Sequence, residues 1–149
     1  MIRDCTEGDF PDLLRMGLMM REESATRFPY IEPERVADSL METVDQPDRL
    51  FAAFYEDPEP VGFITAVCGG WAFSSEKRAA CDLFYIEPER RSFAAALALA
   101  RAFDTWAQRV GAKTSIMGTT TGVEPEATAL LFRRLGYTQV GSIHMKVAS

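Results

Sequence analysis

The sequence predicts an α/β (α+β) domain, with one mixed sheet of six to seven strands and helices on both faces. Short runs rich in aromatic, β-branched and other apolar residues alternate with longer stretches whose apolar residues recur at helical spacing. Clusters of Gly, Pro, Asp and Thr separate these segments. The chain has 149 residues, 47% of them hydrophobic, which suits one domain spanning residues 1–149 around a single core.

Met1 to Cys5 reads as a first strand. Asp9 is placed to cap a helix that carries Pro11 in its first turn and ends near Glu23. Leu13, Leu14, Met16, Met19 and Met20 supply that helix's apolar face. Ser24 to Pro33 reads as a loop, and Glu34 to Val44 as a second helix that the Asp45–Asp48 stretch breaks. Arg49–Glu56 and Val61–Val67 form a hairpin across the Asp57-Pro-Glu-Pro60 turn. Gly69 and Gly70 mark a bulge or bend, followed by a connection from Trp71 to Lys77. Ala80–Ile86 is the next strand. Ser92 to Val110 is a long helix with Phe93, Leu97, Ala100, Phe103, Ala107 and Val110 in register, closed by Gly111. Lys113–Gly118 is a strand, Thr119 to Gly122 a loop, and Glu126–Leu135 a short helix ended by Gly136. Tyr137 to Lys146 predicts one or two closing strands. The strand–helix–strand run through Val110 predicts a parallel crossover.

The most informative stretch runs from Asp82 to Ala100. An apolar strand passes through a Pro88 turn, with Arg90 and Arg91, into an Ala-rich helix. Such a junction presents unpaired backbone N–H groups and the positive end of a helix dipole, a combination suited to phosphate. The small residues Ala94, Ala95 and Ala96 let a ligand come close.

Composition narrows the alternatives. A net charge of −6 argues against a broad surface for nucleic acid or anionic membrane. No run reaches transmembrane length and no apolar leader opens the chain, so the expected compartment is the cytoplasm. Cys5, Cys68 and Cys81 are widely spaced, with His144 as the one histidine, so no metal site is expected and the thiols read as buried and free.

The element order and the Ile86-Glu-Pro88 strand end, followed by Arg91-Ser-Phe-Ala-Ala-Ala96, resemble the GNAT superfamily of acyl-CoA-dependent N-acyltransferases. Leu130-Leu-Phe-Arg-Arg-Leu-Gly-Tyr137 is similar to that family's last helix and its turn. The resemblance covers Arg3 to Lys146. It implies a mostly antiparallel GNAT-like sheet, acetyl-CoA as co-substrate, an amine acceptor on a small molecule or protein, and dimerisation as a common arrangement. Arg91 and Ala96 fit the family signature. Ala94 stands where a glycine is expected, and Phe132 where a proton-donating tyrosine is expected.

Carried over residue by residue, the resemblance implies a cofactor site of Phe84, Tyr85, Ile86, Arg91, Ser92, Phe93, Ala94, Ala95, Ala96, Thr119 and Phe132. It also implies that the 80–86 strand leaves backbone groups free for the pantetheine amides. Asp82, the sole carboxylate in that strand, is the candidate base for deprotonating an ammonium; the alternative is a strand-end carboxylate that faces solvent or forms an ion pair with Lys77 or Arg78. Tyr85 and Tyr137 are candidate proton donors, and core packing is the alternative for both. Phe28 and Tyr30 beside Glu32 and Glu34 would suit a cationic acceptor, the alternative being surface charge around a hydrophobic plug. A covalent route through Cys81 lacks an adjacent base in the sequence. The competing functional class is a GNAT-fold module that binds acyl-CoA as a sensor, or binds a protein partner, without turnover.

Overall fold

The computed structural model describes residues 1–24, 30–56, 58–118 and 124–148. Five strands form one sheet in the order β1 (Ile2–Asp4), β2 (Arg49–Glu56), β3 (Glu59–Trp71), β4 (Ser74–Ile86) and β5 (Thr114–Ile116). The first three pairings are antiparallel and β4–β5 is parallel, as a strand–helix–strand crossover requires. Helices α1 (Phe10–Glu23) and α2 (Pro33–Asp45) cover one face. Helix α3 (Phe93–Arg109) covers the other, with α4 (Pro125–Arg134) beside it.

Two-residue periodicity sorts the strand side chains between two cores. Ala52, Ile64 and Ile86 pack under Ala95, Leu99, Phe103 and Trp106 of α3. Their neighbours Ala53, Phe63 and Tyr85 point the other way, against Leu13, Met16 and Met20 of α1 and Leu40 of α2. Both layers exclude water: Met16, Ile64, Leu99 and Phe103 have no exposed surface.

Three expectations are corrected. The stretch from Trp71 to Lys77 is not a connection: β3 continues to Trp71 and β4 starts at Ser74, joined by a tight turn at Ala72 and Phe73. The register slips between Gly69 and Trp71, so the two glycines absorb a bulge inside a longer hairpin. Residues 137–148 form no strand, and the sheet has five strands among the described residues rather than six to seven. Val140, Ile143, Met145 and Val147 stay exposed, because alternation prepares a strand but only a ladder partner makes one. Asp9 sits at the α1 N-cap position without capping it by its side chain. Its buried carboxylate instead accepts two hydrogen bonds from Arg3, at 2.8 and 2.7 Å, one from the Thr6 amide at 2.7 Å, and one from the Tyr55 phenol.

A second bulge interrupts β4 near its middle. Thr65 pairs with Leu83 and Ala66 with Cys81, which leaves Asp82 without a partner on β3. The extra residue resets the alternation, so Cys81 and Phe84 both face the α3 layer while Leu83 faces α1 and α2.

Candidate active site

Strand β5 leaves β4 early. Pairing covers Arg78–Ala80 against Thr114–Ile116, and β4 then runs on to Ile86 with no described strand on that side. An unpaired edge in the middle of a sheet offers backbone donors and acceptors to an extended ligand. Beside its far end lies a cleft of about 320 Å³. Phe84, Tyr85 and Ile86 form one wall; Arg91, Ser92, Phe93 and Ala96 form the second; Glu124, Ala127, Thr128, Leu130 and Leu131, at the start of α4 and along it, form the third.

The α3 N-terminus enters this cleft with its dipole. Ser92 caps it in the ordinary way: its hydroxyl accepts from the Ala95 amide at 3.1 Å and its carbonyl from the Ala96 amide at 3.1 Å. The amides of Phe93 and Ala94 have no partner among the described residues. They are the two donors left for an anion. Ala94 is exposed, so its methyl group lies outside the packed core. Ala95 faces inward, 2% exposed against the sheet, and is a packing residue rather than part of the wall.

Both arginines of the junction are paired with carboxylates. Arg90 pairs with Glu56 at 3.1 Å. Arg91 donates through Nε to the Ile86 carbonyl at 2.9 Å and through a terminal nitrogen to Glu23 at 2.8 Å, and it pairs with Glu124 at 3.2 Å. Glu23, the last residue of α1, also accepts the Tyr85 phenol at 2.5 Å. Burial, then this hydrogen bond, push the Tyr85 phenol well above its ordinary range, so it keeps its proton at neutral pH.

The remaining predicted residues fall outside the cleft wall. Asp82 occupies the β4 bulge, exposed, and forms no ion pair with Lys77 or Arg78; the Lys77 ammonium donates to the Val110 carbonyl at 3.1 Å. Phe132 is half-buried behind the cleft, edge-on to Phe84 with ring centroids 6.5 Å apart and 6.1 Å from Tyr137. Tyr137 donates to Asp104 at 2.6 Å, and burial followed by that bond raises its phenol strongly. Burial, with the Asp82 charge second, pushes the Cys81 thiol up to about 12, which removes the thiolate a covalent route needs. Tyr30 is exposed under the Arg21 guanidinium, 5.7 Å from its ring centre, and Glu32 and Glu34 flank the α2 start. His144 is exposed and bonds Ser142 at 2.7 Å. Thr119, Thr120, Thr121 and Phe28 lie outside the described residues.

Glu23 and Glu124 are the site residues that sequence reasoning missed. Glu23 is one acid among several at a helix end, with nothing local to single it out. Glu124-Pro125 does carry the signal of a helix start, but not of where the carboxylate reaches. Among the described residues no cluster of three His, Cys, Asp or Glu side chains is arranged to hold a metal. No helix there is long and apolar enough to cross a membrane.

A model of the acetyltransferase (GNAT) family matches residues 17–137. Among solved structures, the chain is similar to a putative acetyltransferase from Agrobacterium tumefaciens (TM-score 0.76, 15% identity, covering 100% of this chain and 99% of that one). It is similar to a transcriptional regulator from Bacillus halodurans (TM-score 0.78, 17% identity, 99% of each chain). Glucosamine-6-phosphate N-acetyltransferase from Arabidopsis thaliana is a third such structure (TM-score 0.74, 11% identity, 99% of this chain and 97% of that one). At these identities the likeness is one of fold. No curated protein matches the chain in sequence.

Proposed function

The chain belongs to the acetyltransferase (GNAT) family, and from that premise we propose that it moves an acetyl group from acetyl-CoA to an amine by direct attack in a ternary complex. The observation that carries this reading is a coincidence of place. The open amide of Phe93, with that of Ala94 next to it in the chain, and the end of the strand edge freed by β5 lie at one cleft, which Phe93, Phe84, Tyr85 and Ile86 line. Amides at a helix start suit a diphosphate, and a bare strand edge suits a chain of amides such as pantetheine. The residues present therefore fit coenzyme A, whose thioester supplies the activated acetyl group when bound.

The chain's own contributions are positional and electrostatic. Phe84, Tyr85 and Ile86 line the route with one polar strand edge; the Leu83 N–H is taken by the Thr65 hydroxyl, so donors for a carbonyl oxygen would come from the β4 N–H groups turned away from β3. Asp82, exposed at the bulge, is the carboxylate assigned to take the proton of the incoming ammonium. Tyr85 is a phenol in the cleft wall whose one O–H is given to Glu23, so it serves as a proton donor only by leaving that carboxylate. Holding both reactants in one geometry supplies much of the rate without a strong acid. The acceptor carries an amine; its class is open to a panel of polyamines, aminosugars, amino acids and peptides.

Calorimetry with acetyl-CoA, then CoA release against that panel, tests the reading. Saturable binding and release that depends on the amine support it, and absence of binding defeats it. Arg91→Glu places three carboxylates at the cleft mouth and should abolish binding. A second reading, an acyl-CoA sensor without turnover, is favoured by Phe132, which has no hydroxyl beside Phe84. Binding with no release on any amine would select it.

A further inference from the structure

Arg91 is the one guanidinium among the described residues of the cleft wall, and it faces two carboxylates, Glu23 at 2.8 Å and Glu124 at 3.2 Å. At neutral pH that cluster carries a net negative charge, in the same cleft that would take a diphosphate. The two acids are held differently. Glu23 is half-buried and gripped from two sides, by Arg91 and by the Tyr85 phenol. Glu124 has a side chain 60% exposed, and the structure gives it Arg91 as its charged partner.

The Glu124 backbone is unusual as well. It is left-handed, with φ 44° and ψ 55°, a conformation that side chains other than glycine rarely adopt, and it is the sole non-glycine example among the described residues. Thr128 holds it there, since its amide and hydroxyl both donate to the Glu124 carbonyl, at 3.1 and 3.0 Å. From there its carboxylate reaches Arg91 while most of the side chain stays in contact with solvent.

We propose that Glu124 is a built-in anionic competitor for Arg91 and thereby sets how tightly the cleft takes a diphosphate ligand, a role that rests on the coenzyme A reading of this cleft and deepens it. With the cleft empty, Glu124 occupies the guanidinium nitrogen that Glu23 leaves open. A diphosphate approaching the Phe93 and Ala94 amides displaces that carboxylate, which swings into solvent. Glu23 and the Ile86 carbonyl keep Arg91 in place in both states. The effect is one of charge, so it falls on the diphosphate end of the ligand and not on its pantetheine arm.

The test is calorimetry with CoA and with pantetheine, which lacks the diphosphate, on the wild type, Glu124→Gln and Glu124→Gly. Glutamine removes the charge at nearly constant shape. Glycine accepts the left-handed backbone without strain and serves if the first variant folds poorly, with thermal melts checking both. Both variants should bind CoA about three- to tenfold more tightly than the wild type, the range expected for losing a partly screened like charge. Pantetheine binding, measurable or not, should be the same in all three proteins. Unchanged or weaker CoA binding by the variants overturns the proposal, as does equal tightening of both ligands. If the wild type binds CoA and the variants match it, only the competitor role of Glu124 falls. If none of the three binds CoA, the coenzyme A reading falls and the competitor role with it.

Discussion

Arg91→Met keeps the apolar stem of the side chain and deletes the guanidinium. Three contacts go with it: the Ile86 carbonyl at 2.9 Å, Glu23 at 2.8 Å and Glu124 at 3.2 Å. The Glu124 arm, with a side chain 60% exposed, is worth about 0.5 kcal/mol. The other two arms are half-buried and worth about 1 kcal/mol each after allowance for screening. The Tyr85 phenol still donates to Glu23 at 2.5 Å, which keeps the loss below the ~3–5 kcal/mol of a fully orphaned buried charge. A total of about 2–3 kcal/mol lowers the melting temperature of a chain this size by about 6–9 °C. Thermal and urea melts of the wild type, Arg91→Met, Glu23→Gln and the double variant complete a cycle. The coupling between the two positions should be about 1 kcal/mol. A single variant that melts within about 2 °C of the wild type, or a double variant whose loss is the plain sum, would refute the idea that Arg91 clamps α1 to the strand end.

Ser92→Ala removes the hydroxyl that caps α3 and should cost about 1 kcal/mol, with faster hydrogen exchange at the Ala95 amide; unchanged exchange would contradict the cap. Tyr85 and Tyr137 hold their protons above the pH at which an unfolded phenol, ordinarily near 10.0, loses its own. The folded state then binds more protons than the unfolded one, so stability should fall as pH rises past about 10. Urea midpoints from pH 8 to 11 read this out, and Tyr85→Phe should flatten part of the slope; a level profile in the wild type would count against both phenols. Cys5 and Cys81 are pushed up to about 12 by burial, so native protein at pH 8 should resist thiol alkylation that the unfolded chain undergoes quickly. Cys81→Ala should retain amine-dependent CoA release, and loss of turnover with intact folding would revive the covalent route.

Much of the fold was legible in the residues. Helical spacing marked α1, α2, α3 and α4 to within a residue or two at most ends, and the glycines at 111 and 136 do take positive φ, 81° and 90°. The strand-to-helix turn at Pro88 was legible too, because a strand end and a helix cap are neighbours in the chain, whereas Phe84, Tyr85, Ile86, Arg91, Ser92 and Phe93 were named from the family resemblance. The long β3–β4 hairpin was hidden, since Trp71 to Lys77 carry Ser and charged residues that only cross-strand pairing turns into strand. The closing strands predicted from Tyr137 onward are absent among the described residues for the complementary reason.

Local order, then, was written in the sequence itself: the periodicities, the caps and the junction that opens amides toward an anion. Tertiary structure alone decided the charge at that junction. Glu23 lies 68 residues before Arg91, and Glu124 reaches it from the start of another helix. No propensity or spacing rule links such positions, because an ion pair depends on distance in space, and packing of α1 and α4 around the end of β4 sets that distance.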